Sequence, residues 1–135
     1  MQQNLLVQSL QKATTGELSF NDLIAAAQQL SASGQTEHAR QLYQVWIAMN
    51  GAHPLLFIAQ FNCSTICQLL GDDVGAEALL RAALAVNPTF APAAINLGSA
   101  IERRGGVREA VEVWRDSLER MGAITGDSIE YKITL

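Results

Sequence analysis

Apolar residues recur at helical spacing almost from the first residue of this chain. Leu5, Leu6, Val7 and Leu10 form a stripe that predicts a helix over residues 3–13, ended by Thr14-Thr15-Gly16. Leu23, Ile24, Ala27 and Leu30 predict a second helix over 19–33, with Gly34 as its stop. Thr36 reads as the cap of a third, which runs to Met49. Asn50-Gly51-Ala52-His53 is a loop, and Pro54 opens the fourth helix at a position that tolerates a missing N–H. Gly71-Asp72 ends that helix and caps the fifth, which Asn87-Pro88 stops after Val86. Helices over 90–104 and 107–121 follow, separated by Gly105-Gly106, and residues 127–135 predict the start of one more.

The pattern also repeats. Gly34, Gly71 and Gly105 are each followed five residues later by alanine, at Ala39, Ala76 and Ala110. Four residues further on stands a large side chain, Tyr43, Leu80 or Trp114, and three beyond that come Trp46, Ala83 and Ser117. The physics of a helical hairpin accounts for this register. A small side chain lets the two helices approach, a large one fills the space beside them, and glycine ends the first helix in a left-handed turn. These residues read as scaffold.

Composition narrows the function. The 135 residues are 49% hydrophobic and 16% charged, which suits a folded domain and excludes a disordered chain. Net charge is −4, with two basic and six acidic groups in residues 1–80 and seven of each in 81–135. Such a chain presents no basic face for nucleic-acid phosphates. The stretch from Gln41 to Gly71 carries no Asp, Glu, Lys or Arg, but Asn50-Gly51, Pro54 and a polar second half argue against a membrane span. The N-terminus lacks the features of a signal peptide, so a cytoplasmic protein is expected.

Candidate chemistry is sparse. Cys63 and Cys67, four apart on one predicted helix, face the same way, but a zinc site needs two more ligands and His38 and His53 are poorly spaced to supply them. Buried free thiols are the expected reading, with no metal and no cofactor. Asp72, Asp73 and Glu77 read as a cap with first-turn acids. Arg103, Arg104 and Arg108 could attract an acidic peptide end, although a solvated helix terminus explains them too. With no nucleophile–base pair and no phosphate loop in the sequence, no catalytic residue is assigned and a non-catalytic segment is expected.

The third repeat, Ala94-Ile95-Asn96-Leu97-Gly98 with Ile101, Gly105, Ala110, Trp114 and Ser117, resembles the tetratricopeptide repeat consensus, Leu-Gly pair included. The second is similar through Asn62, Gly71, Ala76, Leu80, Ala83 and Pro88, with Cys63-Ser64 where Leu-Gly is usual, and the first matches only in its second half. The resemblance implies an all-α, right-handed solenoid of about three hairpins (about 20–53, 57–90 and 91–124) with an N-terminal helix and a truncated C-terminal one. It covers one domain, 1–135, read as a piece of a longer array.

Asn62 and Asn96 stand at the same phase of adjacent repeats. In the O-GlcNAc transferases, asparagines at this phase form a ladder along the groove that grips the backbone of protein substrates, and Phe90-Ala-Pro-Ala-Ala-Ile-Asn-Leu-Gly resembles the repeats of the related SPINDLY-like bacterial glycosyltransferases. The resemblance implies a peptide-binding groove of Asn62, Asn96, Thr65, Phe61 and Ile95, and a partner-recognition region of a glycosyltransferase. A carboxamide suits that role because it both donates and accepts. Asparagine is also ordinary at this phase, and Ala25 replaces it in the first repeat. A free-standing scaffold that mediates assembly, with a homodimer through the C-terminal segment, is the other reading. Either way the expected partner is a protein or extended peptide.

Overall fold

The computed structural model describes residues 2–122, and among them every regular element is helical. The helices are α1 (Gln2–Thr14), α2 (Phe20–Ala32), α3 (Thr36–Met49), α4 (Leu56–Leu69), α5 (Asp73–Val86), α6 (Ala91–Arg103) and α7 (Val107–Arg120). The predicted helix over 127–135, and with it the predicted dimer contact, lies outside the described residues. The chain forms two compact units, Met1–Ala76 and Glu77–Leu135, with the boundary inside α5.

Most boundaries follow from the residues that mark them. Ser19 caps α2, its Oγ accepting the Asp22 N–H at 3.1 Å. Asp72 does the same for α5, accepting the Gly75 N–H at 2.9 Å. Two starts differ from expectation. Thr36 is the first residue of α3 rather than its cap, a position Gln35 holds without a side-chain bond. The fourth helix begins at Leu56, because Pro54 and Leu55 first form a tight turn in which the Leu56 N–H donates to the His53 carbonyl at 3.1 Å.

The glycine stops work as expected. Gly71 has φ +79°, and the chain reversal lets the Asp72 N–H reach the Cys67 carbonyl at 2.8 Å, which satisfies an orphaned helix-end acceptor. The same closure follows Gly34 and Gly105, where Gln35 reaches Leu30 and Gly106 reaches Ile101.

In the first unit, α1 packs on α2 and α3, and α3 on α4. The buried face of α1 is Leu6, Ser9 and Ala13, whereas Val7 of the expected stripe is 50% exposed. Positions 6, 9 and 13 recur at three and four residues, and position 7 falls on the next face around. Trp46 is fully buried at the centre of this unit, its Nε1–H donating to the Leu18 carbonyl at 2.8 Å. Phe20 and His53 meet the indole edge-on, with ring centroids 5.9 and 5.0 Å away. His53, considered above as a ligand, is therefore a packing residue whose Nδ1 accepts the Leu55 N–H at 3.0 Å.

Ala39, Ala76 and Ala110 are completely buried, as the hairpin register requires. A second small position lies seven residues before each glycine stop, at Ala27, Ser64 and Gly98, and all three are buried. In the second unit, where α6 packs on α7, the reason is direct: a Cβ on Gly98 would run into the Trp114 indole. The largest side chain of the register thus faces the smallest.

Two glycine substitutions should separate space from backbone strain. Gly71→Ala meets no neighbouring atom and should cost about 1–2 kcal/mol through its left-handed backbone alone. Gly98→Ala overpacks the hairpin, at about 1–3 kcal/mol or more, and Trp114→Leu should relieve much of that cost. Denaturant unfolding of the four members of the Gly98/Trp114 cycle checks this, and additive effects would contradict it.

Candidate functional site

The five residues expected to line a groove lie on two helices, α4 in the first unit and α6 in the second. On α4, Phe61 and Asn62 are half-buried and Thr65 is exposed. The Thr65 hydroxyl turns back toward the Phe61 carbonyl of its own helix at 3.4 Å, and Ser64 donates to that carbonyl at 2.6 Å. Asn62 is less open than expected. Burial pushes the Tyr43 phenol up, and the nearby Asn62 carboxamide partly opposes that rise. The Asn62 carboxamide therefore lies beside the Tyr43 hydroxyl of α3.

On α6 the arrangement is more open. Ile95 is 57% exposed. Asn96 is half-buried, and among the described residues its carboxamide makes no hydrogen bond. The Ile95 carbonyl accepts the Trp114 Nε1–H at 3.3 Å, which ties the indole of α7 to the floor beside these two residues. Ile95, Ala91, Ala94, Trp114, Leu118 and Met121 line a mostly apolar cleft of about 340 Å³. Ser117, 6% exposed, also borders it, and its Oγ has no hydrogen-bond partner among the described residues. A second, more polar cleft of about 450 Å³ shares Ser117 and carries Arg81, Asp116 and Arg120. The spacing of the repeat alone could not reveal the apolar cleft, because Ala91, Leu118 and Met121 stand outside the consensus positions.

The arginines considered for an acidic peptide end, Arg103, Arg104 and Arg108, are all exposed. Arg104, at the end of α6, also belongs to a closed ring of four charges in the second unit. It bonds Glu77 and Glu109 at 2.9 Å each, and Arg81 bonds the same two carboxylates at 3.0 and 2.8 Å. Glu77, expected only to favour a helix dipole, joins α5 to α6 through this ring. Hydrogen bonds from Arg104 and Arg81 hold the Glu77 carboxyl below the usual carboxylate range, and those from Arg81 and Arg104 do the same for Glu109. In the first unit Arg40 binds Glu37 at 2.7 Å and reaches Asp72 at 3.2 Å, which pins the α4–α5 turn to α3.

Cys63 and Cys67 are both free and buried, as their phase predicted. Burial pushes the Cys63 thiol up to about 12, and the adjacent Cys67 thiol adds to the rise. No group of three or more potential metal ligands occurs among the described residues. No described helix is long and apolar enough to cross a membrane.

The fold has counterparts among solved structures. One is described as the crystal structure of MamA protein, at TM-score 0.64 and 20% identity, covering 76% of this chain and 54% of that one. Another, the crystal structure of MamA, matches at TM-score 0.64 and 15% identity over 82% of this chain and 63% of that one. The chain thus spans little more than half the length of these two proteins, and the likeness establishes the all-helical fold. No family model matches the sequence, and no curated protein does.

Two outcomes follow from the charges and thiols. Because Glu77 and Glu109 have depressed folded-state pKa values, the ring stabilises the fold above the ordinary glutamate value and loses that contribution as pH falls through the lower folded values. Melting curves taken between neutral pH and pH 3 should therefore fall less steeply for Glu77→Gln than for the unaltered chain, and high salt should narrow the gap. Parallel curves would contradict the ring. For Cys63, reaction with a disulfide reagent at neutral pH should proceed only as fast as the first unit opens; immediate labelling of the native protein would show the thiol to be accessible.

Proposed function

We propose that this chain is a protein-interaction module that takes an extended segment of a partner along α6. The observation that carries the reading is the Asn96 carboxamide, unpaired among the described residues, beside exposed Ile95 at the edge of an apolar cleft. The carboxamide can give and accept a hydrogen bond from one peptide unit whatever its side chain, and the cleft takes an apolar side chain next to it. The repeat fold supports this reading, since stacked helical hairpins typically offer extended binding surfaces. Two buried free thiols suit a reducing, cytoplasmic setting.

A narrower reading makes the chain the substrate-recognition region of a glycosyltransferase. Its support is the shared phase of Asn62 and Asn96, and the Tyr43 hydroxyl beside Asn62 competes with a peptide for that carboxamide, which weakens it. A free-standing scaffold needs only the fold and the α6 surface, so we adopt the scaffold.

Displayed libraries of random extended peptides provide the test. The chain should select binders, and Asn96→Ala should weaken a selected peptide roughly tenfold, the equivalent of about 1.4 kcal/mol, with little change in melting temperature. Asn62→Ala should instead lower stability, because it removes the polar side chain beside the buried Tyr43 hydroxyl. If Asn96→Ala leaves affinity intact, or no peptide is selected, the proposal fails.

A further inference from the structure

We infer that the apolar cleft beside Asn96 selects a tyrosine side chain in the partner's extended segment. This rests on the reading of α6 as a partner-binding surface, and it names the residue which that surface takes. Ser117 carries the argument. It is 6% exposed and borders the cleft, and its Oγ has no hydrogen-bond partner among the described residues. The hairpin does not require this hydroxyl. Trp46 and Ala83 hold the same register position in the two earlier repeats, both fully buried, so a side chain without an oxygen satisfies the scaffold. A buried hydroxyl without a partner costs free energy, which a hydroxyl on the ligand can return.

The remaining lining favours an aromatic ring. A volume of about 340 Å³ lies near the lower end of ligand pockets, roughly 300–1,000 Å³, and suits one bulky side chain. Trp114 lines the cleft, and aromatic pairs gain from edge-to-face and offset contacts. Met121 lines it too, and a thioether packs well against the edge of a ring. Met121 also explains how the serine is reached. It follows Ser117 by one helical turn, and helical side chains lean toward the N-terminus, so Met121 lies over the Ser117 turn. Its three rotatable bonds let it swing aside as a ring enters, which opens the hydroxyl to the cleft.

These features together fit a phenol. The ring fills the apolar space, and its O–H both donates and accepts, as the serine does. Phenylalanine would fill the same space and leave Ser117 unpaired. Tryptophan is bulkier and only donates. A charged side chain would lose its hydration and find no opposite charge in the lining of this cleft.

Capped single residues test this without any selected peptide. N-acetyl-tyrosine methylamide and N-acetyl-phenylalanine methylamide are titrated into the isotope-labelled full chain, and the indole N–H signal of Trp114 is followed. The tyrosine probe should bind about fivefold more tightly, the worth of one hydrogen bond. In Ser117→Ala the two probes should bind alike, the tyrosine probe having weakened to the level of the other. That variant should melt no lower than the unaltered chain, since alanine holds the position in the preceding repeat. Equal affinities in the unaltered chain would overturn the inference. So would a tyrosine preference that survives in Ser117→Ala, or a Trp114 signal that neither probe moves. The effect of Asn96→Ala on extended peptides is read separately. A tyrosine preference with Asn96→Ala silent removes only the backbone contact, and the opposite pair of results removes only the tyrosine site.

Discussion

Helices can form a close hairpin only if one of them gives up side-chain volume where the axes approach. Everything else in this chain is arranged around that constraint. Ala39, Ala76 and Ala110 supply one yielding position in each repeat, and Ala27, Ser64 and Gly98 supply another. The third repeat takes the constraint to its limit. Trp114 occupies the space that a Cβ of Gly98 would need, so the indole lies across α6 and its N–H reaches the Ile95 carbonyl. The same placement builds the cleft wall. Scaffold and candidate site are thus made by one contact.

Polar contacts add register to this apolar frame. The residue after the small alanine reaches forward to the next first-helix turn in two repeats, with opposite signs: Arg40 to Asp72 and Glu77 to Arg104. Each pair lies within its own compact unit. Such exposed pairs contribute little energy singly. The ring of Glu77, Arg81, Arg104 and Glu109 fixes relative positions through shared partners, which an isolated pair does not do.

Most of the fold was legible in the sequence because its signals are local. A glycine with positive φ, followed by a fixed interval to a buried alanine, leaves little freedom in where a helix stops or which face is covered. The errors came where two rules competed. Pro54 satisfies the rule for a helix start, yet the turn through Leu55 delays the helix to Leu56. Val7 sits among leucines, but the rotation of α1 exposes it. The site was less legible because its decisive features join residues distant in sequence. Asn62 and Asn96 look equivalent by phase, and the preceding helix distinguishes them: the Tyr43 hydroxyl lies beside the first, whereas the residue of the same register before the second is Leu80. The charge ring and the division inside α5 have no compositional mark.

The central claim is that Asn96 and its neighbouring cleft form a peptide-binding surface. The side-chain amide signal of Asn96 and the indole N–H signal of Trp114 report on it most directly, in an isotope-labelled sample titrated with a peptide selected by the chain. Saturating shifts of both signals, with the indole of Trp46 unmoved, are the predicted result. A peptide that binds while both signals stay fixed would contradict the account.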